Sequence, residues 1–202
     1  MRVVVATHNA HKVAELQRIL GAHVPDLELL PYDGPAPVED GDSFAANALI
    51  KARAAAAHTG LAAIADDSGI SADALGGAPG IHSAYFSGER DDAANVRHLL
   101  SRLAALGADV DRTARFTCAA ALVDPAETVD GAAFETVEVG VWPGRVALEP
   151  AGGGGFGYDP VFVPEGLAIT SAEISAEHKN AISHRALAFA ALAEVLRARA
   201  AR

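Results

Sequence analysis

Apolar positions change period several times along this chain. Residues 2–6, RVVVA, form a β-branched run that reads as a strand, and Val13, Leu16, Ile19 and Leu20 then recur at the spacing of one helix face. Between them lies the polar stretch THNAHK, so the pattern predicts a strand, a turn and a helix. LELLPY predicts a second strand, GPAPVEDGD a loop, and residues 43–58 a helix. LAAIA, residues 61–65, predicts a third strand that ends in DDSG.

Further along, Gly76, Gly77, Pro79 and Gly80 mark an irregular segment before a helix from Asp91 to about Leu106. Residues 113–123 and 133–142 read as long antiparallel partners, with DPAETVDG as the loop that joins them. GGGGFGYDPVFVP reads as a glycine-rich loop entering a short strand, and a last helix is expected over residues 180–200. The order is α/β at first, β-rich in the middle and helical at the end, which favours a mixed sheet over a purely parallel one. No repeat or long linker divides the chain, so one domain over residues 1–202 is expected.

Composition narrows the partners. Half the residues are hydrophobic, yet no apolar run approaches the ~20 residues of a membrane span, so a soluble, cytoplasmic protein is expected. The single cysteine, Cys118, excludes an intrachain disulfide and reads as a buried thiol. A formal charge of -10 argues against broad nucleic-acid binding, which relies on a basic face. A polyanionic small molecule stays admissible if its site concentrates local positive charge or a metal. Lysine is rare: Lys12, Lys51 and Lys179 are the only three, and Asn9, Asn47 and Asn180 each lie within four positions of one of them. That pairing hints that function fixes residue type there.

The common nucleotide and hydrolase signatures are missing: no G-x-G-x-x-G follows the first strand, and there is no P-loop, nucleophile elbow or H-E-x-x-H. Four other stretches could carry chemistry. THNAHK stands at a strand-to-helix junction, where backbone N–H groups, the helix dipole and Lys12 suit an anion, although an ordinary N-cap turn would look the same. In DDSG, strand alternation sends Asp66 and Asp67 to opposite faces, so one of them with Glu39 or Asp40 could hold Mg²⁺; a solvated turn is the alternative. GGGGFGYD lets backbone approach a ligand and offers Phe156 and Tyr158 for stacking, or is a flexible connection with core aromatics. HKNAISHR gathers Lys179, His184 and Arg185 near a helix start, where basic groups call for a compensating anion. His82, Arg90 and Arg115 read as surface residues.

Taken together and in order, THNAHK, VEDGDSFAANALIKA, IADDSG, LGGAPGIHSAYFSGE, GGGGFGYDP and HKNAISHR resemble the inosine/xanthosine triphosphate pyrophosphatase family across essentially the whole chain. The resemblance implies an elongated mixed α/β fold with two lobes around a central nucleotide cleft, usually as a homodimer. It implies Mg²⁺-dependent hydrolysis of ITP, dITP and XTP to the monophosphate and pyrophosphate. Carried over by residue, it places Thr7, His8, Asn9, Ala10, His11 and Lys12 around the triphosphate, Asp67 and Lys12 as catalytic groups, and Glu39 and Asp67 as metal acids. Ser68 matches a substrate contact, Phe156, Gly157, Tyr158 and Asp159 the base and sugar side, and Lys179, His184 and Arg185 base recognition. His8 departs from the pattern, since many members carry glycine there. The rivals are a related pyrophosphatase for pyrimidine or modified triphosphates and a nucleotide sensor that does not cleave; neither a nucleic-acid nor a membrane partner is expected.

Overall fold

Six strands form one open mixed sheet in the order β2-β1-β3-β4-β5-β6. The computed structural model describes residues 1–200, with the backbone alone for Ala10 and His11. In chain order the elements are β1 (Arg2–Val5), α1 (Ala10–His23), β2 (Glu28–Pro31), α2 (Phe44–Thr59), β3 (Ala63–Ala72), α3 (Asp92–Ala104), β4 (Thr113–Val129), β5 (Ala132–Val146), β6 (Phe162–Pro164), α4 (Ala176–Ile182) and α5 (His184–Ala200). Strand β1 runs parallel to β2 and β3, and β5 runs antiparallel to β6, so the sheet is mixed as expected.

The chain gathers into two compact units, one of Met1–Asp67, Cys118–Gly140 and the segment from Arg185 onward, the other of Ser68–Thr117 and Val141–His184. In the first unit, strand alternation builds two different layers. Val3, Val5, Ile64, Cys118 and Leu122 face Leu16 and Leu20 of α1 and Phe189, Leu192 and Leu196 of α5. Burying each of these larger side chains contributes about 1.5–3 kcal/mol. On the other face Val4, Ala63, Ala65, Ala119 and Ala121 meet Ala48, Ala52, Ala55 and Ala56 of α2. Alanine on both sides lets α2 approach the sheet closely. Ser43 caps that helix by accepting from the Ala46 N–H at 3.2 Å, and Gly60 ends it at φ 68°.

The second unit packs Val96, Leu99 and Leu103 of α3 against Ile70, Phe116, Trp142, Val146 and Phe162. Gly69 is required inside β3: a Cβ there would lie 2.3 Å from Ser83 Oγ, and that hydroxyl accepts from the Ile70 N–H at 3.0 Å.

Three sequence expectations need correction. DDSG lies in the middle of β3, because the strand continues to Ala72 with its carboxylates matched by lysine and arginine. DPAETVDG is not a loop; β4 continues to Val129 and turns through Asp130 and Gly131 alone, at φ 53° and 81°. An Asp-Gly pair with positive φ at both positions is the two-residue hairpin turn, and the proline misled because the strand there is exposed. The last helix is two helices: Ser183 is extended at φ -71°, ψ 162°, which ends α4 and starts α5 afresh.

Candidate functional site

In the first unit, the turn after β1 organises itself. The Thr7 hydroxyl accepts from the Asn9 N–H at 3.1 Å, and Asn9 Oδ1 accepts from the Lys12 N–H at 3.3 Å, which caps α1. His8 turns toward the loop after β2: its Nε2 donates to the Gly34 carbonyl at 3.1 Å and its ring stands 5.5 Å from that of Tyr32. The larger side chain is thereby held against that loop. The side chains of Ala10 and His11 lie outside the described residues.

Lys12 reaches both oxygens of Asp66, at 3.1 and 3.0 Å. Arg185 meets the same carboxylate through Nε at 3.3 Å and binds Glu15 through Nη1 at 2.9 Å. Burial alone would raise the pKa of Asp66, but the charges of Lys12, Arg185 and Lys51 outweigh it and hold the carboxyl well below its ordinary value. Cys118 lies 4.0 Å from Asp66, and burial together with that carboxylate pushes its thiol far up, so it is inert as a nucleophile.

Asp67 points to the opposite face. Its Oδ1 accepts from Lys51 Nζ at 3.0 Å and its Oδ2 from Asn47 Nδ2 at 3.4 Å. Lys51 Nζ also lies 2.6 Å from Glu39 Oε2, so two carboxylates from different segments converge on one cation. Burial raises the Asp67 pKa, and the attraction of Lys51 and Lys12 only partly offsets it. Burial on its own would lower the Lys51 pKa; Asp67, Asp66 and Glu39 reverse that and raise it. The outcome is a carboxylate more basic than an ordinary aspartate beside a lysine that keeps its proton.

The second unit holds a separate cluster. Asp159 is buried and accepts from Lys179 Nζ at 2.5 Å, from the Ser171 hydroxyl at 2.8 Å and from the Phe156 N–H at 2.8 Å. The ammonium of Lys179 also stands 5.4 Å from the centre of the Phe156 ring. Gly155 must be glycine, at φ 73° with any Cβ only 2.0 Å from Asp159 Oδ2. The Gly157 N–H donates to Asp92 at 2.8 Å. His184 stacks on Phe116 at 4.6 Å with the planes 9° apart. Ser68 is half-buried on β3 beside Asp67.

Two of the expected residues have partners that the sequence did not suggest. The Tyr158 ring is packed in the core and its hydroxyl donates to the Ser83 carbonyl at 2.8 Å. Arg185 stands with Asp66 and Glu15 in the first unit, as the counter-charge of a buried carboxylate. Sequence reasoning offered Asp66 only as one of two alternatives for a metal and gave Lys51 and Asn47 no role beyond the hint of their pairing. Their signal was present in the scarcity of lysine: each of the three lysines holds one aspartate, Lys12 with Asp66, Lys51 with Asp67 and Lys179 with Asp159.

The fold is that of an α/β protein with a mixed sheet and three aspartates each matched by a lysine. The chain belongs to the Ham1 family, whose model matches residues 3–195. It is 58% identical over 200 residues to a dITP/XTP pyrophosphatase of Leifsonia xyli, covering 98% of this chain and 96% of that one. A dITP/XTP pyrophosphatase of Streptomyces coelicolor is 49% identical over 97% of each chain. Among solved structures, a HAM1 protein from Coxiella burnetii superposes with a TM-score of 0.86 at 39% identity, over 98% of both chains. A nucleoside-triphosphatase, dITP/XTP pyrophosphatase, from Mycobacterium abscessus gives 0.74 at 46% identity, over 95% of this chain and 98% of that one.

Proposed function

We propose that this protein hydrolyses deaminated purine nucleoside triphosphates, dITP, ITP and XTP, to the monophosphate and pyrophosphate. The observation that carries this is the convergence of Glu39 and Asp67 on Lys51, supported by the names of full-length relatives. Two hard carboxylate oxygens that already meet around one cation fit a divalent metal. Among the described residues no group of three or more His, Cys, Asp or Glu is placed to hold one. Mg²⁺ takes one or two protein carboxylates and fills its shell with water and substrate phosphate. Glu39 and Asp67 would hold it, and when bound it neutralises phosphate charge.

In this scheme water adds across the α–β phosphoanhydride, and Asp67 takes its proton. Thr7, Asn9 and the α1 N-terminus receive phosphate oxygens, and Lys12 and Lys51 stabilise the negative charge on the departing pyrophosphate. Asp66, matched by Arg185, keeps Lys12 in place. Phe156 is assigned to stack on the base, and Lys179 and His184 to donate to the 6-carbonyl that hypoxanthine and xanthine carry and adenine lacks. A donor left unpaired by the wrong base supports rejection by roughly 10⁴-fold. In this reading the protein works as a cytoplasmic homodimer, with no nucleic-acid or membrane partner proposed.

The test is pyrophosphate release with Mg²⁺ from ITP, XTP, dTTP, UTP, ATP and GTP in parallel, with Asp67→Asn as control. Preferential cleavage of ITP and XTP with a dead control supports the proposal. Faster dTTP or UTP cleavage overturns the base assignment, and ITP binding without cleavage of any triphosphate makes the protein a sensor.

A further inference from the structure

We infer that Asn47 is a positioning residue: one side-chain amide ties the loop that carries Glu39 to the carboxylate of Asp67 and so sets the spacing of the acid pair. This rests on the hydrolase proposal above.

Asn47 is a buried polar side chain in a helix whose other buried side chains are alanine. Its Oδ1 accepts from the Gly41 N–H at 2.8 Å. A backbone N–H can only donate, so this bond fixes which way the amide faces and sends Nδ2 toward Asp67, 3.4 Å from Oδ2. Lys51, one helical turn further on the same face of α2, takes the other oxygen at 3.0 Å. Both oxygens of Asp67 are thereby held from one rigid element.

The other end of the tie is equally constrained. A Cβ at Gly41 would come within 2.7 Å of both the Ala46 Cβ and Asn47 Oδ1, so the loop approaches the helix only because position 41 lacks a side chain. Glu39, two residues earlier, extends to Lys51 at 2.6 Å. Loosening Asn47 would release the loop and leave the Asp67 carboxylate free to rotate, changing two of the distances on which the acid pair depends.

Asn47→Asp and Asn47→Ala separate this role from simple packing. Aspartate keeps an acceptor for Gly41 but loses the donor to Asp67, so kcat for dITP should fall about tenfold or more with KM within about threefold, the scale of a hydrogen bond to a charged group. Asn47→Ala removes both contacts, and Mn²⁺ binding to the nucleotide-free protein, read by electron paramagnetic resonance, should weaken about tenfold. Wild-type kcat in Asn47→Asp, or wild-type Mn²⁺ affinity in Asn47→Ala, overturns the inference. A wild-type protein that releases no pyrophosphate from dITP ends the hydrolase proposal instead, and the Mn²⁺ comparison then decides the role of Asn47 alone.

Discussion

Asp66 and Asp67 are adjacent on β3 and answer to different helices: Asp66 takes Lys12 of α1 and Arg185 of α5, whereas Asp67 takes Lys51 and Asn47 of α2. Their opposite surroundings move their pKa values apart, Asp66 down and Asp67 up. One carboxylate is held as a fixed charge, and the proposed mechanism gives the other the base role.

Asp67→Asn should abolish most turnover. A positioned general base supplies about 10²–10⁴-fold, so pyrophosphate release from dITP should drop by at least about 10²-fold while the melting temperature changes little. Turnover within a few fold of wild type would remove Asp67 from the base role.

Asp66 links stability to pH with a definite sign. Its pKa is depressed on folding, so its contribution is present above the unfolded value of about 3.9 and is lost as pH falls toward the folded one. In urea titrations Asp66→Asn should lose about 3 kcal/mol near neutral pH, because Lys12 and Arg185 lose a buried partner. The gap from wild type should shrink as acid protonates Asp66 in the wild type. A gap that stays constant down to strong acid would mean that Asp66 is not depressed.

Lys51→Met should leave Glu39 and Asp67 facing each other without the shared ammonium. Steady-state kinetics should show a loss of roughly tenfold or more in kcat/KM, the scale of a lost charge-assisted contact. Unchanged kcat/KM would make Lys51 a bystander.

Lys179→Met should relax base choice more than it slows turnover. The ratio of kcat/KM for dITP over dATP should fall by about tenfold or more, because the donor that adenine leaves unpaired is gone. Equal losses for both substrates would mean that Lys179 only supports the Asp159 cluster.

Much of this was legible from local pattern. The β-branched run before THNAHK, the alanine helix and the alternation across Asp66 and Asp67 follow from periodicity alone, and the resemblance of six ordered motifs carried the family. What escaped depends on distant partners. Two carboxylates on a strand look like an end until Lys12, Lys51 and Arg185 arrive from three helices to neutralise them. Pro125 looked like a loop because its neighbours on the exposed end of β4 could not be known, although Asp130-Gly131 already carried the turn. Arg185 looked like part of one basic motif with Lys179, and only the break at Ser183 separates them into different clusters.

The first unit is stitched from three stretches far apart in sequence, the last beginning at Arg185. During synthesis, DDSG and the Glu39 loop emerge well before Arg185, one of the two counter-charges of Asp66, and the Phe189 and Leu192 side of its core. A chain released before that point holds Asp66 among apolar neighbours with part of its compensation missing. A chain that stops before Arg185 therefore carries the acids without a completed scaffold.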